Sequence, residues 1–254
     1  MLSLLAAAAL AGSAPWTAPI LHYVRSNIDG SEPEHVVQYR SARDRIAVYK
    51  WVEKCKIAAY VTAEMEADLR DARLFTAGKV ARDGTQAVFG TLTLDPVAPA
   101  LDVAVDLPNE QIREHHPLRA LPFLLYDFDL SDLNVFLQEA KPRGDFGFEL
   151  PVIWPAEGTS VFRDYGRLQA RYAGSEKHLD RDAVRFDLKV EGPTPSTGIL
   201  WVDAREFYIV EAQLGLPNHL DYKDFRLTFE RLETGSQAAW DALMKSHYAN
   251  CPAT

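Results

Sequence analysis

Along Val184-Arg185-Phe186-Asp187-Leu188-Lys189-Val190-Glu191, apolar and charged residues alternate one for one. A side-chain period of two places the apolar set on one face and the charges on the other, as in a strand with one buried and one wet side; a helix would scatter both around its circumference. Phe225-Arg226-Leu227-Thr228-Phe229-Glu230 repeats the pattern, and Leu101-Asp102-Val103-Ala104-Val105-Asp106 follows it more loosely. Turn chemistry links such segments in chain order. Asp29-Gly30 separates expected strands at 20–25 and 35–39, and Asp83-Gly84 separates 73–81 from 86–94; Asp-Gly supplies the positive φ angles of a tight hairpin. Further strands are expected at 46–52, 57–65, 146–154, 199–202, 206–214 and 222–232, with the Gly- and Pro-rich stretch 191–198 connecting two of them.

Two segments break the period. Ser236 is placed to cap a short helix in which Ala239, Trp240, Leu243, Met244 and His247 share one face, and that face is expected to seal one side of the sheet. Residues 118–140 form a mixed connection, with Pro122 stopping any long helix and Ser131 placed to cap a short one through Gln138. His115-His116 before Pro117 reads as loop. The fold class expected is mainly β (α+β), a large curved antiparallel sheet or half-barrel with one or two short covering helices.

Residues 1–14 carry no charge and end in Ala11-Gly12-Ser13-Ala14, an apolar run too short to span a bilayer and closed by small residues. This is the anatomy of a secretory signal, although a basic start is missing, and cleavage is expected near Ser13 or Ala14. Residues 15–254 are then expected to form a single β-rich domain, periplasmic or secreted, with membrane association peripheral at most. Cys55 and Cys251 suit that compartment, since two cysteines in an oxidising environment permit one bridge, and a Cys55–Cys251 disulfide would pin the helix of 236–248 to the turn carrying Cys55.

Composition narrows the function classes. A chain of 254 residues, 47% hydrophobic and 25% charged, is ordinary for a globular protein, and its net charge of −9 with no basic cluster argues against nucleic acid. Glu64, Glu66 and Asp68 share a face if extended, at about 7 Å spacing, but a carboxylate pair from one strand points the same way instead of flanking a scissile bond. His178 with Asp180 and Asp182, and His219 with Asp221, are the close histidine–carboxylate groups; both sit beside turn residues and read as solvated loops. No G-x-S-x-G elbow and no phosphate-binding glycine motif occurs, and Cys55, though flanked by Lys54 and Lys56, reads as a disulfide partner. No catalytic residue, metal site or cofactor is therefore expected. Trp51, Trp154, Trp201 and Trp240 read as core, with the alternative that some line a cavity.

Within 183–232, an alternating strand, a breaker loop, Gly198-Ile199-Leu200-Trp201-Val202-Asp203 and then Ile209-Val210-Glu211-Ala212 resemble the carboxy-terminal part of the periplasmic lipoprotein-carrier (Lol-type) superfamily and related exported domains of unknown function. Tyr126-Asp127-Phe128-Asp129-Leu130-Ser131-Asp132-Leu133 and the strand of 146–154 resemble the middle of those unknown-function relatives. The resemblance covers the last half of the chain and implies an open half-barrel closed by helices, whose apolar concave face in the carriers receives acyl chains. Residues 46–107 read as additional strands, a departure from the carriers.

The function expected is that of an exported, non-enzymatic half-barrel binding an apolar, lipid-like ligand such as a lipid or lipoprotein acyl chain, or an envelope partner. The residues expected to bind are those of the concave face, Phe186, Leu188, Trp201, Phe225, Leu227 and Phe229. The alternatives are an interaction module of the envelope without a cavity ligand and, less favoured, a carboxylate-dependent hydrolase.

Overall fold

The structure, a computed structural model, describes residues 16–95, 97–154 and 160–252, so the expected leader lies outside the described residues. Strands β1 (Ile20–Ser26), β2 (Glu34–Ala42), β3 (Arg45–Trp51), β4 (Ala59–Met65), β5 (Ala72–Val80), β6 (Gln86–Asp95), β7 (Ala100–Leu107) and β8 (Glu110–Pro117) form one antiparallel meander. A second runs through β9 (Phe146–Ile153), β10 (Phe162–His178), β11 (Arg181–Glu191), β12 (Ser196–Asp203), β13 (Ile209–Leu214) and β14 (Phe225–Glu233). β1 pairs with β14, which joins the two meanders into a single 14-stranded antiparallel sheet with β8 and β9 at its edges. The fold class read from the alternation is the one observed.

The sheet curls until its edge strand β8 meets the start of β10 at one corner. There the β8 residue Glu114 accepts from the Val161 N–H (2.8 Å), and His116 stacks on Phe162 (4.5 Å between ring centroids). The chain linking β8 to β9 does not run over the outside. It enters the concave side as a plug: a pair of hydrogen bonds sets Pro122 and Leu124 against Glu149 of β9 (2.8 and 2.9 Å), a 3₁₀ turn follows at Tyr126–Phe128, and then helix α1 (Ser131–Ala140). Plug residues Phe123, Leu124, Tyr126, Phe128, Leu133 and Leu137 are buried in one cluster with the inner faces of both meanders.

The ladders show which residues share that inner face. Phe186 lies opposite Leu200, Leu200 opposite Ala212, and Ala212 opposite Leu227; Leu188, Gly198, Leu214 and Phe225 form the next row. Phe229 lies opposite Tyr23, and their rings meet edge to face at 5.7 Å. Trp201 does not belong with them. It lies opposite Arg185 and Glu211, on the outer face, where its ring stacks on His178 (3.8 Å) and its indole N–H donates to Glu176 (2.6 Å). The alternation of β12 itself demands this, because Trp201 is one residue from Leu200 and so points the other way.

Helix α2 (Gln237–Ser246) is capped as expected by Ser236, whose hydroxyl accepts from the Ala239 N–H (3.1 Å), and it seals one side of the sheet as expected; that side is the outer face, where Trp240 and Met244 are buried against Ile20, Val37, Tyr39, Ala47 and Tyr49. The inner face is covered by the plug instead. Ser131 does not cap α1; it lies inside the helix, and Leu130, with φ 56°, is the residue at the cap. Two strands were not expected. β8 contains the His115-His116-Pro117 stretch read as loop, and the long β10 is bent by irregular pairing next to Gly166 and Gly174, both at positive φ, which interrupts any clean alternation. Cys55 and Cys251 are bonded, which ties the loop between β3 and β4 to the chain just after α2, as expected.

Candidate functional site

Beneath the plug, on the concave side of β4–β7, lies an apolar cavity of about 300 Å³. Its floor follows from the registers. One cross-strand row of the inner face reads Lys50, Ala59, Lys79 and Ala87; the next reads Val48, Val61, Ala77, Gly90 and Val105; the third reads Ile46, Ala63, Phe75, Leu92 and Val103. Small residues at Ala59, Ala77 and Gly90 leave the hollow, while the plug supplies a roof of Leu125 and Phe128, and Ile153 of β9 closes one side. Three rows two residues apart span about 13 Å of strand. The deep end is shut where Phe75 packs edge to face on Phe128 (5.1 Å) and Phe123 (6.3 Å). The first row is the mouth, beside the β3–β4 loop, where Ile57 is 72% exposed and Lys79 is exposed.

A buried ionic cluster adjoins the mouth. Asp129, in the plug at φ 52°, is wholly inaccessible, and its carboxylate meets Lys50 Nζ (2.8 Å), Arg25 Nε (3.5 Å) and the Asn218 amide (2.7 Å). Lys50 also meets the Asp127 carbonyl (3.0 Å) and His219 Nε2 (3.4 Å), which with the ion pair to Asp129 occupy its ammonium. Arg25 reaches Glu34 (2.7 Å) and lies over the Tyr222 ring (3.6 Å). Burial alone would raise the Asp129 pKa, but the Lys50 and Arg25 charges outweigh it and hold the group down at about 2. Burial, then Lys50, keep His219 well below the ordinary imidazole value, so it is neutral and accepts from Lys50.

Other plug carboxylates shift the opposite way. Burial raises Asp127, on the cavity wall, to about 6 against the pull of the Ile153 N–H and Lys50. It raises Asp132 to about 7, although both carboxylate oxygens accept backbone N–H bonds, from Leu125 (3.0 Å) and Leu133 (2.9 Å). Asp71, in the β4–β5 turn, accepts from the Phe123 N–H (2.7 Å) and is raised to about 6, again by burial. The Asp71 and Asp127 bonds tie the plug to the β4–β5 turn and to β9, while those of Asp132 hold the plug's own backbone together.

The residues singled out from sequence fall elsewhere. Phe186, Leu188, Phe225, Leu227 and Phe229 are buried against the plug and one another, and none of them or Trp201 lines the cavity. Glu64, Glu66 and Asp68 do not converge: Glu64 pairs with Arg73 (2.5 Å) on the outer face, and Asp68 accepts from the Arg70 N–H in its own turn (3.1 Å). His178 meets Glu211 (2.5 Å), not Asp180 or Asp182, and His219 faces Asp129, not Asp221. Among the described residues no group of three or more His, Cys, Asp or Glu is placed to hold a metal ion. Sequence reading missed Lys50 and Lys79 and the small floor residues. The available signal was a lysine in register with Ile46 and Val48 on an otherwise apolar strand face.

No family model matches the chain, and no curated protein matches it. Among solved structures, it is similar to a β-barrel-like protein of a domain of unknown function, DUF1849, from Brucella abortus, with 8% identity and a TM-score of 0.44, over 86% of this chain and 97% of that one. A likeness at that level bears on neither family nor function, which rest on the chain's own geometry.

Proposed function

We propose that the protein is an exported, non-enzymatic binder of an apolar, acyl-chain-like ligand, held in the cavity between β4–β7 and the plug. The observation that carries this reading is the row of small residues, Ala59, Ala77 and Gly90, facing Leu125 and Phe128 across an open space of about 300 Å³ in an otherwise closely packed interior. That volume lies at the lower end of the range for small-molecule sites. An apolar hollow of this kind is costly to keep, since each missing set of contacts forfeits dispersion energy that a guest restores. Transport or storage of a flexible chain needs no precise polar contact, because each buried CH₂ contributes about 0.8 kcal/mol. The disulfide between Cys55 and Cys251 supports the exported setting, as such bonds persist in oxidising compartments. The likeness of 198–212 to lipoprotein-carrier half-barrels points the same way, although the site lies in the other half of the sheet.

The test is a calorimetric titration with straight-chain alcohols of increasing length. Affinity should rise about fourfold per added methylene, then level off once the chain outgrows the hollow, with a negative heat-capacity change. Absence of binding at every length, or affinity independent of length, would refute the reading and favour an interaction module of the envelope.

A further inference from the structure

The two lysines of the mouth row differ in what they have left to offer. Lys50 is buried and spends its donors on Asp129, the Asp127 carbonyl and His219. Lys79, two strands away in the same row and so about 10 Å from it, is exposed, and among the described residues its ammonium has no carboxylate or hydrogen-bond partner. Both line the cavity, whose one acidic lining residue, Asp127, has its carboxylate turned to the Ile153 N–H. On a chain of net charge −9, the rim of the apolar hollow is thus a locally cationic spot with a free donor.

We propose that the cavity's ligand is an anionic amphiphile, bound tail inward, with its head group at the mouth on Lys79. This rests on the apolar-ligand reading above and specifies the ligand class. The tail runs from the Ala59 row past Ala77 and Gly90 toward Phe75, and the head stops at the Lys79 row because the chain beyond it is open to water. The converse orientation would bury a carboxylate or phosphate beside Phe75 and Leu92 with no donor, at heavy desolvation cost. The charge of Lys50 is offset by Asp129, and Lys50 offers the head no hydrogen bond. A cationic head would meet the like charge of Lys79.

Three amphiphiles of one chain length separate this inference from the reading it rests on: decanol, decanoate and decylamine, each titrated below its aggregation threshold near neutral pH. The wild type should bind decanoate roughly fivefold tighter than decylamine, the scale of one exposed ion pair, with decanol between them. Lys79→Glu should invert that order and Lys79→Gln should narrow the difference, with decanol affinity shifting less than that of either charged amphiphile. Added salt should compress the spread. If decanol binds but the charge of the head makes no difference, or if the decanoate preference survives Lys79→Glu, the head-group assignment is wrong while the cavity reading stands. Failure of all three to bind overturns both.

Discussion

Filling the hollow from within is the sharpest test of where a guest sits. Ala77 lies in the middle row of the floor, between Val61 and Gly90, with the plug residues Leu125 and Phe128 across the space. Ala77→Leu adds three carbons to that space. If they displace nothing but emptiness, the added burial stabilises the protein by up to roughly 2.4 kcal/mol, at about 0.8 kcal/mol per carbon. The same carbons exclude an equivalent length of guest, so alcohol affinity should fall by about the same free energy, or some sixtyfold. Stability and affinity therefore move in opposite directions by similar amounts. The comparison variant is Ala63→Leu. Ala63 is on the same face one row deeper, but it is 1% exposed and packed in the core, so the larger side chain should destabilise by about 1–3 kcal/mol through overpacking. Denaturant unfolding gives the stabilities and calorimetry the affinities. Ala77→Leu behaving like Ala63→Leu would mean that the hollow is not there to be filled; Ala77→Leu gaining stability with undiminished alcohol binding would put the guest elsewhere.

Replacing Lys50 by Met should cost about 3–5 kcal/mol in urea unfolding, because it strips the closest cation from a wholly buried carboxylate; it should also raise the acid limb of stability, since Asp129 at about 2 contributes stability present above the ordinary carboxylate range and lost as pH falls toward 2. A loss below 1 kcal/mol would show the cluster to be solvated. Asp71, Asp127 and Asp132, raised to about 6, 6 and 7, carry the opposite sign: their contribution is fullest below about pH 4 and is lost as pH rises through those values. Unfolding free energy should therefore decline from mildly acidic to neutral pH, and Asp132→Asn should flatten the decline; an unchanged slope in that variant would exclude Asp132 as its source. Serine at both Cys55 and Cys251 should lower stability by at most roughly 5 kcal/mol, the loop-entropy value for a separation of 196 residues, and increase hydrogen exchange in the β3–β4 loop at the cavity mouth; equal exchange with and without the bond would mean that His247 and Tyr248, which both donate to the Lys56 carbonyl (2.7 and 3.0 Å), suffice to hold it.

Strand identity and order were legible because each half-exposed strand announces its face by alternation, and the tight hairpins by Asp-Gly. The Cys pair and the face of α2 that carries Trp240 and Met244 were equally legible. Which side of the sheet α2 covers was not, because both sides are apolar over β1–β4: Val36 and Val37 are both buried, one toward the plug and one toward Trp240. β10 escaped because its bends at Gly166 and Gly174 shift the pairing, and β8 because an edge strand half open to water needs no apolar alternation. The candidate site was the least legible part. Expectation fell on the largest apolar side chains, Phe186, Phe225 and Phe229, whereas large side chains fill space and small ones leave it.

That asymmetry accounts for where the hollow lies. The second meander meets the plug with aromatic residues, Phe148 against Phe136 (5.3 Å) and Phe225 against Tyr126 (5.4 Å), and packs it tightly. The first meander presents Ala59, Ala77 and Gly90 to the same plug. An unconstrained plug would settle onto that floor and close the gap, since collapse recovers contact energy. It is kept from doing so by its ties to the sheet and loops: the ion pairs of Asp129 with Lys50 and Arg25 and its hydrogen bond from Asn218, Asp71 to the Phe123 N–H, and the Glu149 pairing to Pro122 and Leu124. A buried ion pair is weak evidence for stability but holds a geometry that apolar contacts alone do not. The cluster at Asp129 is thus best understood as the strut of the cavity, which predicts that loss of Lys50 lowers alcohol affinity in the protein that remains folded, although Lys50 offers the guest no bond.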